Sequence, residues 1–171
     1  MPTLNTDLFL YLHGLSGFAP EVFLYIAGWF GLAIMLTAFL FVSFHKHGYK
    51  SIFKEISQHL REWRSIVFIP LGTWAVTAFL KLAFHAPRPF QTLDIIPLSI
   101  PGTFDSFPSG HAAFYMAMAL AVYKYHKKAG VFFIIMAALL SVARIVTGVH
   151  YPVDILAGWL VAYLMYKIIK R

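Results

Sequence analysis

"FPSGHAAFYMAMAL", residues 107–120, sets a proline, a serine, a glycine and a histidine at the mouth of an otherwise apolar stretch. An apolar helix needs no polar opening, so the stretch asks both what surrounds the helix and what its polar end binds or cleaves. A helix that is apolar on all sides is buried in a large core or a membrane. The rest of the chain decides for the membrane: its 171 residues are 60% hydrophobic and only 12% charged, with a mean hydropathy of +0.71. That balance is too apolar for an ordinary soluble domain.

A crossing needs about 20 mainly apolar residues, fewer where neighbours shield it. This criterion selects 22–43, 65–85, 109–125, 129–148 and 152–168. A further apolar stretch, 4–18, is short and is closed by Pro20. It reads as a helix in the interface or packed on the bundle, with a sixth, partial crossing as the alternative. The expected architecture is therefore an all-α integral membrane helix bundle of about five transmembrane helices plus a short N-terminal interfacial helix, six helices in one domain over 1–171. No internal repeat, low-complexity segment or linker divides it. The first 21 residues have no Lys or Arg before their first apolar run, so no cleavable leader is expected. With no cysteine, disulfides, thiolate metal sites and a cysteine nucleophile are excluded.

The net charge of +7 is distributed by topology rather than gathered on a nucleic-acid-binding face. Eleven cations, namely Lys46, Lys50, Lys54, Arg61, Arg64, Lys124, Lys127, Lys128, Lys167, Lys170 and Arg171, follow the first, third and last spans. All fall on one side, which the positive-inside rule makes cytoplasmic. Segment 45–64 reads as a solvated connector, with an amphipathic helix on anionic lipid as the alternative. Lys81, Arg88 and Arg144 lie at the opposite ends of their spans and need another explanation.

Those three belong to stretches that meet at the outer surface under this topology: "KLAFHAPRP" (81–89), "FPSGH" (107–111) and "RIVTGVHYPVD" (144–154). Pro108 suits the first turn of a helix, where its missing N–H costs nothing. Ser109, Gly110 and His111 would then offer backbone N–H groups at a helix N-terminus, an anion site. Pro152 opens the last helix in the same way, placing Asp154 in its first turn within reach of His150. A carboxylate on one imidazole nitrogen sets the tautomer and leaves the other nitrogen as a nucleophile or base. Two arginines and a lysine match the oxygens of a phosphoryl group.

Each piece has an ordinary reading too. "PSG" is a common turn before a helix, His150 and Asp154 could be a capping pair, and Lys81 could snorkel. His13, His45, His47, His59, His85 and His126 read as interfacial hydrogen bonders, and Asp94 and Asp105 as loop or rim residues. The coincidence favours the functional reading: every cation that breaks the inside rule stands beside a histidine or a helix-opening proline. Cations at a membrane without matching acids call for an anionic ligand.

The chain resembles the type 2 phosphatidic acid phosphatase superfamily of membrane lipid phosphatases. That family's motifs, KxxxxxxRP, PSGH and SRxxxxxHxxxD, read here "KLAFHAPRP", "PSGH" and "ARIVTGVHYPVD", in the same order. One departure is Ala143, where the family usually has serine, with Ser141 two residues earlier. The resemblance implies that His150 attacks phosphorus and forms a phosphohistidine, that Asp154 orients it, and that His111 protonates the leaving oxygen and then activates water. Lys81, Arg88, Ser109, Gly110 and Arg144 would hold the phosphate. No metal and no cofactor is expected, and the expected partners are a lipid phosphate substrate and the bilayer, without nucleic acid.

An outward-facing basic pocket in the cytoplasmic membrane implies a lipid whose phosphate lies at the extracytoplasmic headgroup layer. Undecaprenyl diphosphate is the first choice, from the resemblance to small bacterial members in length and in "PRPF" and "HYPVD". Phosphatidylglycerol phosphate, phosphatidic acid and lipid A 1-phosphate are the alternatives. The same residues would serve a lipid-to-lipid phosphotransferase. A non-enzymatic anion-binding or transport protein is the reading from another class, and the absence of Asp, Glu, Lys or Arg at the centre of any span counts against transport.

Overall fold

The computed structural model describes residues 3–46, 52–100 and 105–170. Among them eight α-helices form one bundle: α1 (Leu4–Gly14), α2 (Pro20–Ala27), α3 (Trp29–Phe44), α4 (Ile52–Phe84), α5 (Pro89–Thr92), α6 (Gly110–Tyr125), α7 (Lys127–Val146) and α8 (Pro152–Lys170), with a 3-10 turn at Leu15–Gly17.

The all-helical expectation holds, and the count of six does not. The first expected span, 22–43, is two helices broken at Gly28, whose backbone is not helical (φ −105°, ψ −80°). Glycine is the residue that loses least by leaving a helix, because it has the most backbone freedom to lose by entering one. Segment 52–64 is helix rather than connector and runs without interruption into the second span, giving α4 its 33 residues.

Among the described residues α4, α7 and α8 are long and apolar enough to cross a membrane. A fourth crossing is reached if Leu4–Gly17 and Pro20–Ala27, bent by 115°, count as one span. Five crossings are not reached on length, because α3 and α6 have 16 residues each. At 1.5 Å per residue that is about 24 Å, against a hydrocarbon core of about 30 Å.

Helix α6 is the centre of the bundle, packed against α4, α7 and α8. Its Ala112, Ala113, Ala117, Ala119 and Ala121 are fully buried. Such small side chains let helices approach closely where no water drives them together. Larger apolar side chains such as Leu71, Phe79, Leu139 and Leu160 are exposed on the outer faces, as a lipid-facing surface requires. The N-terminal stretch packs on the bundle: Phe9 is fully buried, His13 Nδ1 lies 2.8 Å from the Val146 carbonyl oxygen, and the Val153 N–H donates to Asn5 Oδ1 at 3.1 Å.

Candidate active site

Loops and helix ends bring the three sequence stretches to one end of this bundle. The Ser106 N–H donates to the Ala86 carbonyl at 2.8 Å, and Pro87 and Asp105 form an antiparallel bridge. Lys81, near the end of α4, donates from Nζ to the carbonyls of Asp105 (2.8 Å) and Ser106 (3.1 Å). These contacts fasten the first stretch to the second.

Ser109 fastens the second to the third. Its N–H donates to the Asp154 carbonyl at 3.0 Å, while its hydroxyl accepts from the Ala112 N–H at 3.4 Å. Ser109 is thus the N-cap of α6, and Pro108 stands before the helix rather than in its first turn. Gly110 and His111 open the helix, and their N–H groups have no acceptor within it. The expectation for Pro152 holds, since it is the first residue of α8 and Asp154 lies in the first turn.

A turn carries the chain from Arg144 to His150. Gly148 takes φ +81°, a left-handed conformation that favours glycine. His150 and Asp154 are buried, at 2% exposure each. His150 Nδ1 is 3.4 Å from Asp154 Oδ2 and 3.4 Å from the Ser106 hydroxyl, contacts long for hydrogen bonds. Asp154 Oδ2 accepts from the Ser106 hydroxyl and from the Tyr151 N–H at 2.8 Å. On the other ring nitrogen, His150 Nε2 lies 3.4 Å from Arg88 Nη1, which also donates to the Val149 carbonyl at 2.7 Å. Burial pushes the His150 pKa down to about 3, helped by Arg144 and Arg88 and opposed by the hydrogen bond to Asp154. The imidazole is therefore neutral at physiological pH, with a lone pair to give.

Six of the eight expected site residues, Lys81, Arg88, Gly110, His111, Arg144 and His150, line one cavity of about 730 Å³. Ser109 and Asp154 are buried behind its wall. Arg144 is 8% exposed, its Nη1 reaches the Ala27 carbonyl at 3.4 Å, and its buried Nε has no partner. A buried donor left over beside a cavity is what an anion would satisfy. The same cavity is walled by Leu71, Trp74, Ala78, Leu82 and Phe114, so cations and apolar side chains face one space. Among the described residues no group of three or more His, Cys, Asp or Glu is placed to hold a metal ion.

Three residues of this end were not read as functional from sequence. Ser106 is fully buried against both His150 and Asp154, yet in "DSFPSGH" it looks like one more turn residue. Asp105 lines the cavity and sits 3.5 Å from His85, where the sequence suggested a rim. Gly158 lets α8 approach the start of α6, since a Cβ there would stand 2.7 Å from the Ser109 carbonyl oxygen. Ser141 does not substitute for the serine absent at 143. Its hydroxyl donates to the Ala137 carbonyl at 2.7 Å and accepts from Trp159 Nε1 at 3.1 Å.

Residues 62–171 match the PAP2 superfamily, and the chain belongs to that family. It is 36% identical over 78 residues to the bacitracin transport permease protein BcrC of Bacillus licheniformis, covering 45% of this chain and 38% of that one. To the lipid A 1-phosphatase of Rhizobium etli it is 38% identical over 88 residues, 46% of this chain and 36% of the relative. To the undecaprenyl-diphosphatase BcrC of Bacillus subtilis it is 34% identical over 91 residues, 53% of this chain and 47% of the relative. The match thus spans less than half the length of each of these relatives. The fold is that of Aquifex aeolicus LpxE, with a TM-score of 0.72 over 98% of this chain and 94% of that one, at 23% identity. Its candidate transmembrane helices and these relatives make it a membrane protein.

Proposed function

We propose that this chain is a lipid phosphatase that removes a terminal phosphate from a lipid phosphate or diphosphate through a phosphohistidine at His150. The observation that carries the reading is a neutral, buried imidazole backed by a carboxylate and opening, with His111 and three cations, into one cavity.

His150 Nε2 attacks phosphorus while the bond from phosphorus to the leaving oxygen breaks, and His111 gives that oxygen its proton. The Nδ1 proton stays on the ring, whose positive charge Asp154 balances, with Ser106 holding the carboxylate in place. Lys81, Arg88 and Arg144 take up the charge on the phosphoryl oxygens, together with the N–H groups that begin α6. Water then loses its proton to His111 and attacks phosphorus, the P–N bond breaks, and His150 returns to its neutral form. Gly110 leaves room for the phosphoryl group: a Cβ there would meet no protein atom closer than 3.8 Å.

Undecaprenyl diphosphate is the substrate of first choice, supported by the undecaprenyl-diphosphatase relative and by the apolar wall beside the cations. Lipid A 1-phosphate is the second reading, supported by the Rhizobium relative. The distribution of Lys and Arg favours a cytoplasmic-membrane protein with the cavity at the extracytoplasmic side.

The test is phosphate release by the purified protein in detergent, with chelator present, from undecaprenyl diphosphate, lipid A, phosphatidylglycerol phosphate and phosphatidic acid, using His150→Ala as the blank. Release from one lipid well above the rest assigns the substrate. Turnover lost in chelator and restored by a divalent ion overturns the metal-independent mechanism, and no release from any of the four by a folded protein overturns the phosphatase reading.

A further inference from the structure

A second basic cavity, of about 330 Å³, lies away from the active site and is lined by Arg61, Arg64, Ser65, Phe68, Lys124, Tyr125 and Ile169. No carboxylate lines it, and among the described residues neither Arg64 nor Lys124 forms an ion pair. In its lining, Ser65 Oγ and the Tyr125 hydroxyl lie 3.0 Å apart. Arg61 is steadied by Gln58, whose Oε1 accepts from Nη2 at 2.6 Å.

The depth of this cavity follows from helix geometry. On α4, Arg64 precedes Lys81 by 17 residues, a rise of about 26 Å. On α6, Lys124 follows His111 by 13 residues, about 20 Å, and on α8, Ile169 follows Asp154 by 15, about 22 Å. Three helices thus place the second cavity most of a bilayer's thickness from the first, at the headgroup layer of the opposite leaflet. Phe68 and Ile169 are exposed apolar side chains beside the cations, where an acyl chain would lie against them.

We propose that this cavity binds the headgroup phosphate of an anionic glycerophospholipid from the leaflet opposite the active site, anchoring the α4, α6 and α8 ends together. Arg64 and Lys124 supply both the charge and the hydrogen-bond donors, beside the Ser65 and Tyr125 hydroxyls, which bond each other. A free phosphate would meet the same donors, but it has no chain to use the apolar flank. The site does not depend on which lipid the catalytic end hydrolyses.

The experiment titrates the detergent-solubilised full chain with phosphatidylglycerol, phosphatidylcholine or inorganic phosphate, following the thermal unfolding midpoint and bound phospholipid. Phosphatidylglycerol is expected to raise the midpoint, with phosphatidylcholine and inorganic phosphate having little effect. In Arg64→Gln/Lys124→Gln its apparent affinity should fall roughly 25-fold, at about fivefold per cation removed. Arg64→Lys/Lys124→Arg should keep it, and turnover of a soluble phosphate ester should be unchanged in both, which separates this cavity from the catalytic one. If the double variant loses that turnover through misfolding, the single variants carry the same test at about fivefold each. Phosphatidylglycerol affinity unchanged on removal of the cations would overturn the proposal, as would an equal midpoint shift from inorganic phosphate alone.

Discussion

Two histidine–carboxylate pairs stand toward opposite ends of this bundle. His150 and Asp154 approach to 3.4 Å at one end, and His126 and Glu62 to 3.0 Å at the other. By distance the second pair is the better formed, with Glu62 fully buried and also accepting from Gln58 at 2.9 Å. The difference lies in what surrounds them. His126 packs edge-on to Phe41 and His45, and neither it nor Glu62 lines the basic cavity nearby. His150 instead opens into a space shared with His111, Lys81, Arg88 and Arg144. An imidazole held by a carboxylate is therefore not a catalytic site by itself. Under the proposed function it becomes one where a cavity brings a phosphoryl group to its free nitrogen and cations to the oxygens.

The largest expected effect sharpens this contrast directly. His150→Ala should reduce phosphate release by about 10⁴-fold or more, as loss of a nucleophile does. His126→Ala should leave turnover per folded molecule within about twofold while costing roughly 1–3 kcal/mol of stability, because buried Glu62 loses one hydrogen-bond donor and keeps Gln58. Comparable losses of turnover in both, normalised to folded protein, would erase the distinction.

Next comes Ser106, which bonds Asp154 and has no counterpart drawn from the family motifs. A hydrogen bond to a charged group is worth about 1.5–3 kcal/mol, so Ser106→Ala should lower kcat roughly 10- to 100-fold with little change in KM. A change in KM alone would instead make Ser106 a phosphate-binding group.

A smaller effect is expected at Gly158. The added Cβ of Gly158→Ala would press on the Ser109 carbonyl oxygen and, at 3.2 Å, on the Ala113 nitrogen. Overpacking of this kind costs about 1–3 kcal/mol, and it should lower both the unfolding midpoint and turnover by displacing the start of α6. An unchanged enzyme would show that the contact between α8 and α6 is compliant.

Mild acid should touch the nucleophile least. The His150 pKa of about 3 lies below the ordinary histidine value, so its protonation should contribute no acid limb to turnover above about pH 4. Stability behaves differently, because the unfolded chain takes up a proton below about pH 6.5 that the folded site refuses. This contribution is fully present above pH 6.5 and is lost as pH falls toward 3. The unfolding midpoint of the wild type should accordingly fall more steeply between pH 7 and pH 4 than that of His150→Asn, and equal slopes would mean that the imidazole is solvated.

Much of the candidate site was legible because its residue types and local spacing lie close together in the chain. His150 and Asp154 are four residues apart at the start of a helix, Pro152 marks that start, and cations out of place for the inside rule mark the same layer. The rest was not legible for an equally physical reason. Ser106 reaches His150 and Asp154 across 44 and 48 residues, and a serine in a short turn sequence carries no sign of such a partner. Gly158 looks like any glycine in an apolar helix until α6 is laid against it. The break at Gly28 and the joining of 52–64 to α4 also escaped, since hydropathy sums over a window and does not register a single bent residue.

From sequence alone come the all-helical membrane character and the three stretches whose cations and histidines make a candidate phosphate site, because composition, period and spacing along the chain carry these. Tertiary structure alone decided which of two histidine–carboxylate pairs faces a cavity, which serine steadies the carboxylate and how closely α8 can approach α6. These depend on contacts between residues far apart in the chain, and only packing sets such distances.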